Sequence, residues 1–237
     1  MKVKVVGCYC TWFKELSTSF IIDDNMLFDV PAGSFKTLLT ENKLDNIEYI
    51  VISHFHSDHF ADLHAVIDYL NQHNVPQNIK ILAPKGCKER LQTLLKTMEV
   101  FHLNQFIDEK ITFIDCENNK IVKLGDYKIK CFKMLHQTLD AYGFTIEKDG
   151  VKLGFTGDSA MCNNVVKIIK HCDTIFIDTA TIVENNKHLS AQEVLSLANE
   201  YKTCNFIPIH MTYKSRDYIK DYLSIPTQGQ EYIFQKR

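Results

Sequence analysis

The sequence predicts an α/β protein in which helices and β-sheets stack in a layered sandwich. Short β-branched or apolar runs, separated by Asp, Asn, Pro and Gly, recur along the chain and are typical of strands. Segments with apolar residues three and four positions apart lie between them, as in amphipathic helices. Because the strands are grouped and do not alternate strictly with helices, we expect a layered sandwich and not a parallel doubly wound sheet.

The N-terminal part of the chain predicts four strands followed by a helix. Residues 2–7 alternate basic and apolar side chains, and three further runs at 18–22, 26–30 and 49–53 are apolar or β-branched. A helix is expected over residues 60–71, with Asp58 near its N-terminus. Its apolar positions recur with helical spacing, at Phe60, Leu63, Val66, Ile67 and Leu70.

The rest of the chain continues with strands and helices. No repeat or flexible linker interrupts it, so we expect one domain over residues 1–237. Ser190 is a plausible N-cap of the last predicted helix. Strands are predicted at 79–83, 111–114, 121–124, 127–134, 142–147, 151–156, 174–178 and 205–209, and helices at 87–99, 165–170 and 190–201.

Composition narrows the class of protein. A chain of 237 residues that is 45% hydrophobic can bury a sizeable core. The formal charge of -2, from 27 basic and 29 acidic residues, provides no global basic face for wrapping a long nucleic acid. No apolar run reaches the roughly 18 residues of a membrane span, so no membrane association is expected.

The eight cysteines predict reduced, buried thiols. None forms a C-x-x-C pair, and the N-terminus has no signal-peptide pattern, so a cytoplasmic protein is expected. Cys8 and Cys10 are close in sequence, but a one-residue gap is unusual for a structural zinc site. We therefore interpret them as small core residues, with a redox or metal pair as the alternative.

Residues 54–59, His-Phe-His-Ser-Asp-His, form the strongest functional signal. They bring His54, His56, Asp58 and His59 onto one tight turn between a predicted strand and a predicted helix. Imidazole and carboxylate groups suit divalent ions such as Zn²⁺, and a catalytic site leaves one coordination position open. The turn alone has too few ligands for two ions.

Further candidate ligands stand at the ends of later predicted strands. A single histidine among ten is more often a surface or hydrogen-bonded core residue than a ligand. An ordered set that follows the His-rich turn favours ligation, because the loops after these strands converge on one edge of the sheets. The three candidates are His136, Asp158 and His210.

These motifs resemble the metallo-β-lactamase superfamily, in which HxHxDH is followed by separate His, Asp and His ligands. The resemblance spans residues 2–211 and includes the Thr-Gly-Asp turn that ends at Asp158. It implies an α/β fold of the αββα metallo-β-lactamase sandwich type and a site for two Zn²⁺ ions, with Mn²⁺ as the alternative metal. The implied ligands are His54, His56 and His136 for one ion, Asp58, His59 and His210 for the other, and Asp158 as the bridge.

The same resemblance implies a hydrolase. A hydroxide between the two zinc ions would be the nucleophile, because bound metal acidifies water. Asp58 would position that water, which makes it a catalytic residue as well as a ligand. A carboxylate bridge at Asp158 points to the dinuclear hydrolases of the superfamily, such as glyoxalase II, lactonases and tRNase Z.

A second motif favours the tRNase Z-like phosphodiesterase branch. Residues 188–191, His-Leu-Ser-Ala, look like the His-Ser/Thr-Ala element of that branch, whose histidine assists the leaving oxygen. The alternative for His188 is a solvated neighbour of the helix cap. Thr179 stands where the family has a glutamate that orients the histidine, and Asp178 is the candidate substitute.

The chain also departs from tRNase Z enzymes that carry a long Gly/Pro-rich arm after the third histidine. Only a short segment separates His136 from Asp158. We therefore expect a dinuclear zinc phosphodiesterase, a compact relative similar to cyclic-nucleotide phosphodiesterases, whose substrate is a small or cyclic nucleotide or another phosphodiester. A homodimer is expected because the phosphodiesterases it resembles usually pair.

Alternative functions remain open. A tRNA 3′-end endonuclease and a lactone or thioester hydrolase share the fold, while a non-catalytic binding protein is disfavoured by the complete ligand set. A flavodiiron-type redox role is disfavoured because that branch has glutamate in place of His56. Base stacking is one interpretation of the aromatic residues Trp12, Phe13 and Phe35, with Trp12 the best candidate, and core packing is the alternative. His64 and His73 are expected to be exposed and not to be ligands.

Overall fold

The computed structural model describes residues 1–73 and 78–236 as two β-sheets packed face to face. The predicted domain of residues 1–237 also includes residues 74–77 and 237, which lie outside the described residues. No helix among the described residues is both long enough and apolar enough to cross a membrane. The predicted αββα sandwich is confirmed by the layers described below.

The first sheet has seven strands. The third to sixth strands along the chain run parallel to one another, and helices connect them. The first strand along the chain is antiparallel to the second, the second is antiparallel to the third, and the C-terminal strand is antiparallel to the first. Its strands are β1 (Lys2–Gly7), β2 (Ser19–Ile22), β3 (Met26–Phe28), β4 (Tyr49–Val51), β5 (Ile79–Ala83), β6 (Ile111–Asp115) and β13 (Glu231–Ile233), in the order β13-β1-β2-β3-β4-β5-β6.

The second sheet has six strands. An antiparallel meander leads into a parallel group that ends the sheet. Its strands are β7 (Ile121–Leu124), β8 (Tyr127–Lys133), β9 (Tyr142–Lys148), β10 (Val151–Phe155), β11 (Thr174–Asp178) and β12 (Asn205–Ile209), in the order β12-β11-β10-β9-β8-β7.

Helices cover the outer face of each sheet. Apolar residues of the first sheet pack with α1, α3, α4 and α5, and those of the second pack with α6, α7 and α8. The helices are α1 (Ser34–Thr40), α2 (Ser57–Phe60), α3 (Leu63–Gln72), α4 (Cys87–Thr97), α5 (Leu103–Lys110), α6 (Asn163–His171), α7 (Ala191–Glu200) and α8 (Tyr213–Ile219).

Aromatic side chains hold the two sheets together. Phe20 and Phe28 of the first sheet contact Phe155 of the second, with ring centroids 5.4 and 4.8 Å apart. Phe155 also stacks on Phe176 at 4.8 Å. All four rings are fully buried, and burial of an aromatic side chain contributes strongly to stability. This buried aromatic layer packs the two sheets against each other.

The predicted helix over residues 60–71 is wrong at its start, since two helices occupy this segment. α2 ends at Phe60, and α3 begins at Leu63. The break comes from Asp62, whose carboxylate accepts the backbone N–H groups of Gly33 and Phe35 at 2.8 and 3.0 Å. This tertiary contact connects the start of α1 to the start of α3.

Sequence analysis also missed α1, α5, α8 and β13, which are short. The cap prediction at Ser190 is confirmed, because its hydroxyl accepts the N–H of Glu193 and the Glu193 carboxylate accepts the N–H of Ser190. The predicted bounds of β1, β5, β7, β11 and β12 are confirmed at both ends, and those of the remaining predicted elements differ from the observed ends by one to a few residues, as is usual at frayed termini.

Strand direction brings the site residues to one edge. β10, β11 and β12 are parallel, and β8 is antiparallel to β9, which is antiparallel to β10. The C-terminal ends of β8, β10, β11 and β12 therefore lie on the same side of the second sheet. The residues just past those ends include His136, Asp158 and His210.

Candidate metal centre

The His-rich turn connects β4 to α2 and is mostly buried. His54 and His59 have no exposed surface, and Asp58 keeps 8%. His56 is half-buried and is the candidate ligand on the turn that is most accessible to solvent. Four potential ligands are thus held in one short segment whose ends are fixed by a strand and a helix.

The structure brings all seven predicted ligands together. Within residues 1–73 and 78–236, their ligand atoms form groups in which every pair lies within 4.8 Å. The first two groups correspond to the two ion sites that the resemblance implies. The groups are His54, His56, His136 and Asp158; Asp58, His59 and His210; and Asp158, His188 and His210.

Asp158 lies between the two groups. Its Oδ2 is 3.8 Å from Nε2 of His54 and 3.2 Å from Nε2 of His210, and its Oδ1 is 3.4 Å from Nε2 of His59. Ligands about 2.1 Å from a tetrahedral ion are separated by roughly 3.4 Å. The distances from the Asp158 oxygens to the histidine nitrogens are therefore close to those between two ligands of the same ion.

Several buried polar atoms at this centre have no hydrogen-bond partner in the described part of the chain. An unpaired buried polar group costs about 1–3 kcal/mol, and four of them in one cluster call for a compensating ligand. A divalent cation satisfies the two Nε2 atoms and the carboxylate oxygen among them, so the residues present fit a metal centre. The atoms are Nε2 of His54, Nε2 of His59, Oδ1 of Asp158 and Nδ1 of His210.

Facing imidazoles also control the charge of Asp158. Burial alone raises the pKa of this carboxyl, but the neighbouring His210 and His59 rings outweigh burial and hold it well below its usual range. Asp158 is therefore ionised, as a carboxylate ligand must be.

Other groups orient the candidate ligand rings through their second nitrogens. Ser53 Oγ lies 3.1 Å from Nδ1 of His54, and the backbone carbonyl of Lys187 lies 2.9 Å from Nδ1 of His136. With Nδ1 of His136 bound in this way, its Nε2 faces the centre, 3.3 Å from Nδ1 of His56. Such contacts fix the tautomer and the direction of a metal-binding histidine.

Sequence reasoning missed Asp29. This fully buried carboxylate accepts the backbone N–H and the hydroxyl of Ser53 at 2.7 and 2.8 Å, and it lies 2.7 Å from Nδ1 of His59. Burial raises its pKa despite the contact with His59. A sequence signal did exist, since Asp29 is a charged residue directly after the apolar strand β3.

His188 lies at the rim of the centre and is oriented by Asp178. Its Nδ1 is 2.9 Å from Oδ2 of Asp178, which also accepts the N–H of Ser159 at 2.9 Å. Oδ1 of Asp178 accepts the N–H of Ala180 at 3.1 Å. Thr179 donates its hydroxyl to the carbonyl of Ile177. The carboxylate beside His188 thus comes from Asp178 and not from Thr179.

The environment of His188 differs from that of the candidate ligands. Its ring centroid is 4.9 Å from that of His136 and 5.1 Å from that of His210. Its side chain keeps 20% of its surface exposed, so the ring is reachable from the site mouth. Burial lowers the pKa of His188, but Asp178 outweighs burial and raises it to about 9. The ring is therefore protonated near neutral pH.

The remaining residues singled out from the sequence lie elsewhere. Cys8 and Cys10 are buried and form no disulfide, as predicted for core residues. Trp12 is 88% exposed on the loop after β1. Phe13 and Phe35 are partly buried against the core, and His73 is exposed. The prediction that His64 is exposed is wrong, because its ring bonds to the Ala61 carbonyl and is half-buried.

Two stacked sheets with a His/Asp cluster at their shared edge define a class of divalent-metal hydrolases. The profile of the beta-lactamase superfamily domain matches residues 25–211, which include every candidate ligand. The chain belongs to the metallo-β-lactamase superfamily and is a hydrolase of that family. The cluster is accordingly a site for divalent metal.

The chain is also similar to curated proteins named ribonuclease Z, and solved structures share its fold. The chain is 23% identical to "Ribonuclease Z" of Sulfurisphaera tokodaii, with 68% of each protein covered, and 21% identical to that of Metallosphaera sedula, with 81% of this chain and 80% of that protein covered. The short form of human tRNase Z superimposes with a TM-score of 0.76 at 16% identity, over 98% of this chain and 99% of that one. Yeast PDE1 superimposes with a TM-score of 0.72 at 12% identity, over 97% and 98%.

Proposed function

We propose that this chain is a dinuclear zinc phosphodiesterase that cleaves a small or cyclic nucleotide. The observation that carries the proposal is the His188–Asp178 pair beside the metal centre. A protonated, carboxylate-bound imidazole at the mouth is what cleavage of an ester with a poor leaving group requires, because the departing alkoxide needs a proton. The two groups of ligand atoms that share Asp158 support two ions.

In this proposal His54, His56 and His136 would hold one ion, Asp58, His59 and His210 would hold the other, and Asp158 would contribute to both. When bound, the ions would act as Lewis acids that acidify water and neutralise charge on the phosphoryl oxygens. Zinc suits the imidazole-rich set, and Mn²⁺ is the alternative. The chain's own contribution is to fix the ligand rings through Asp29, Ser53 and the Lys187 carbonyl.

Asp58 and His188 have the two proton-handling roles. Asp58 lies 3.7 Å from Nε2 of His59 through its Oδ2, which leaves the other carboxylate oxygen to orient the attacking water and accept its proton. His188 donates a proton to the departing oxygen. Asp178 holds the Nδ1–H of His188, so Nε2 is the nitrogen left to donate that proton.

A second candidate function is 3′-end cleavage of tRNA. The curated relatives named ribonuclease Z favour it, and the same proton-handling residues would serve both substrates. The segment after His136 consists of a short loop and the β9–β10 hairpin of the second sheet. Because this segment is part of the sheet, we place a small nucleotide first and tRNA second.

The test is a substrate panel on protein loaded with two equivalents of Zn²⁺ or Mn²⁺. Cyclic mononucleotides, cyclic dinucleotides, precursor tRNA, a lactone and a thioester are incubated with the wild type and with the His188→Ala and Asp58→Ala variants, and products are identified. Hydrolysis of a small nucleotide that both variants lose supports the proposal. Turnover of tRNA alone moves the assignment to the endonuclease, and turnover of lactones or thioesters without phosphodiesters rejects both.

The proposal includes a cytoplasmic homodimer, as in the phosphodiesterases that the chain resembles. Sedimentation equilibrium of the metal-loaded protein measures its mass directly. A mass twice that of the 27.4 kDa chain is expected. A single-chain mass at all concentrations would remove the dimer from the proposal and leave the metal chemistry unaffected.

A further inference from the structure

A cavity lies against the back of the His-rich turn. It has a volume of about 740 Å³ and is formed between the turn, the start of α3 and one face of α4. Phe55 and Ser57, the residues that alternate with candidate ligands on the turn, line it. Neighbouring Cα atoms are about 3.8 Å apart, so this wall directly adjoins His54 and His56.

The topology places this cavity at the same edge as the metal centre. β4 and β5 are parallel neighbours, so the turn after β4 and the start of α4 after β5 lie on the same side of the first sheet. Arg90 is in the first turn of α4 and lines the cavity. The turn at residues 54–59 is therefore a wall that the cavity shares with the metal centre.

Arg90 is an unused cation at the cavity wall. Its guanidinium carbon lies 4.8 Å from the centroid of the Phe55 ring, and Phe55 in turn packs edge-on against Phe60 at 5.1 Å. Among residues 1–73 and 78–236, no acceptor lies within hydrogen-bond distance of the Arg90 guanidinium, and no carboxylate lies within 4.0 Å of it. Since guanidinium has five donors in a planar array, Arg90 is positioned for a flat partner with lone pairs on its edge.

The rest of the lining suits a planar ring. Phe60, Leu94 and Met98 provide apolar surface, and His64 provides a polar group. Nδ1 of His64 donates to the Ala61 carbonyl at 2.8 Å, so Nε2 of the neutral ring is an acceptor. The cavity therefore combines apolar walls with a donor at Arg90 and an acceptor at His64, which complements a heterocycle that carries both acceptors and N–H groups.

We propose that this cavity binds the heterocyclic base of the nucleotide substrate, with Arg90 and Phe55 as its specificity-determining residues. This inference rests on the proposed phosphodiesterase function, and it names the part of the substrate that is recognised. Guanidinium groups bind bases through their acceptor edges and stack on their faces. A phosphodiester without a base gains nothing from the cavity.

The first test measures binding without catalysis. Adenosine, guanosine, cytidine and thymidine are titrated into the wild type and into the Arg90→Ala variant by isothermal titration calorimetry. At least one nucleoside is expected to bind, with an affinity that falls about tenfold in Arg90→Ala, the size of one lost base contact. Lys96→Ala is the matched control, since Lys96 is an exposed cation of α4 that does not line the cavity.

The second test compares two substrates with the same leaving group. These are the 5′-p-nitrophenyl phosphate ester of the nucleoside that binds best, and methyl p-nitrophenyl phosphate. Arg90→Ala is expected to raise KM for the nucleoside ester about tenfold, with little change in kcat and none in KM for the methyl ester. An equal loss on both esters would show that the cavity holds the leaving group and would overturn the inference.

Failure of this inference and failure of the proposed function give different results. If neither ester is hydrolysed but a nucleoside binds in an Arg90-dependent manner, the cavity assignment stands and the phosphodiesterase proposal fails. If both esters are hydrolysed while no nucleoside binds or inhibits, the base-binding role is wrong and the catalytic proposal stands.

Discussion

Asp29 and His59 are 30 positions apart in the chain, yet Oδ2 of one lies 2.7 Å from Nδ1 of the other in the fully buried base of the metal centre. The contact explains why a charged residue stands directly after the apolar strand β3. It fixes the direction in which His59 presents Nε2 to the centre. A metal site is thus supported by a carboxylate that is not itself in any ligand group.

The first prediction concerns this pair. Asp29→Asn should weaken metal affinity about 10–100-fold, because partners that orient ligating histidines typically contribute that much. Competition with a chromophoric chelator measures the affinity. Asp24→Asn is the matched control, since Asp24 also has positive φ, at 61° against 52° for Asp29, but lies in a surface turn away from the centre. Equal affinities of the two variants would contradict a supporting role for Asp29.

The second prediction uses the leaving group to test His188. His188→Ala should slow cleavage of an alkyl phosphodiester about 10²–10⁴-fold, the usual contribution of a general acid. It should scarcely affect a p-nitrophenyl ester, whose leaving group departs without a proton. Rates on both esters are compared with those of His73→Ala, which removes an exposed histidine. A uniform loss on both esters would indicate a structural role instead.

The third prediction concerns metal and stability. The unpaired buried atoms at the centre should make the protein more stable when metal is bound. A ligand at 1,000 times its Kd adds about 4 kcal/mol, which corresponds to a rise in Tm of roughly 8–16 °C for a chain of this size. Scanning calorimetry with zinc and with EDTA measures the difference. In Asp158→Ala the two scans should nearly coincide; a retained shift would place the metal elsewhere.

The fourth prediction is a pH dependence away from the metal centre. Burial alone raises the pKa of Asp23, but contacts with the Lys148 ammonium, the Lys2 N–H and the Tyr127 hydroxyl outweigh burial and lower it. A carboxyl with a depressed pKa in the folded state stabilises the protein above its unfolded pKa, and this stabilisation is lost as pH falls through the folded pKa.

Asp23→Asn should therefore lower the free energy of unfolding at pH 7 by about 1–2 kcal/mol, as for hydrogen bonds to a charged group. The deficit relative to the wild type should shrink as pH falls below the ordinary carboxyl value. Asn tolerates the positive φ of 47° at this position, so the variant changes charge and not backbone fit. Urea unfolding at a series of pH values checks this, and a deficit independent of pH would argue against the charge effect.

The fifth prediction concerns the thiols. Seven of the eight cysteines are buried and Cys162 is half-buried, and burial raises the pKa of Cys8 and of Cys87 to about 12. Because thiolate is the reactive form, a colorimetric thiol reagent should modify at most one group in the native protein and all eight after denaturation. Rapid reaction of several native thiols would mean that the core opens readily.

Local sequence alone was enough to predict most of the secondary structure and the metal ligands. Alternating and helical apolar spacing located most strands and the longer helices, because burial on one face imposes a period that can be read directly. The turn at residues 54–59 identified a metal site because its ligands are adjacent in the chain. The more distant ligands His136, Asp158 and His210 could be proposed because each follows a strand.

Only the tertiary structure decided how these parts meet. The chain does not encode locally that Asp29 contacts His59, that Asp178 and not Thr179 holds His188, or that Asp62 interrupts a helix to bind the start of α1. Each of these is a hydrogen bond between residues 10 to 30 positions apart that the folded loops bring together. Periodicity reports which face of an element is buried, whereas partners across sheets depend on topology and register, and these are properties of the assembled sheets.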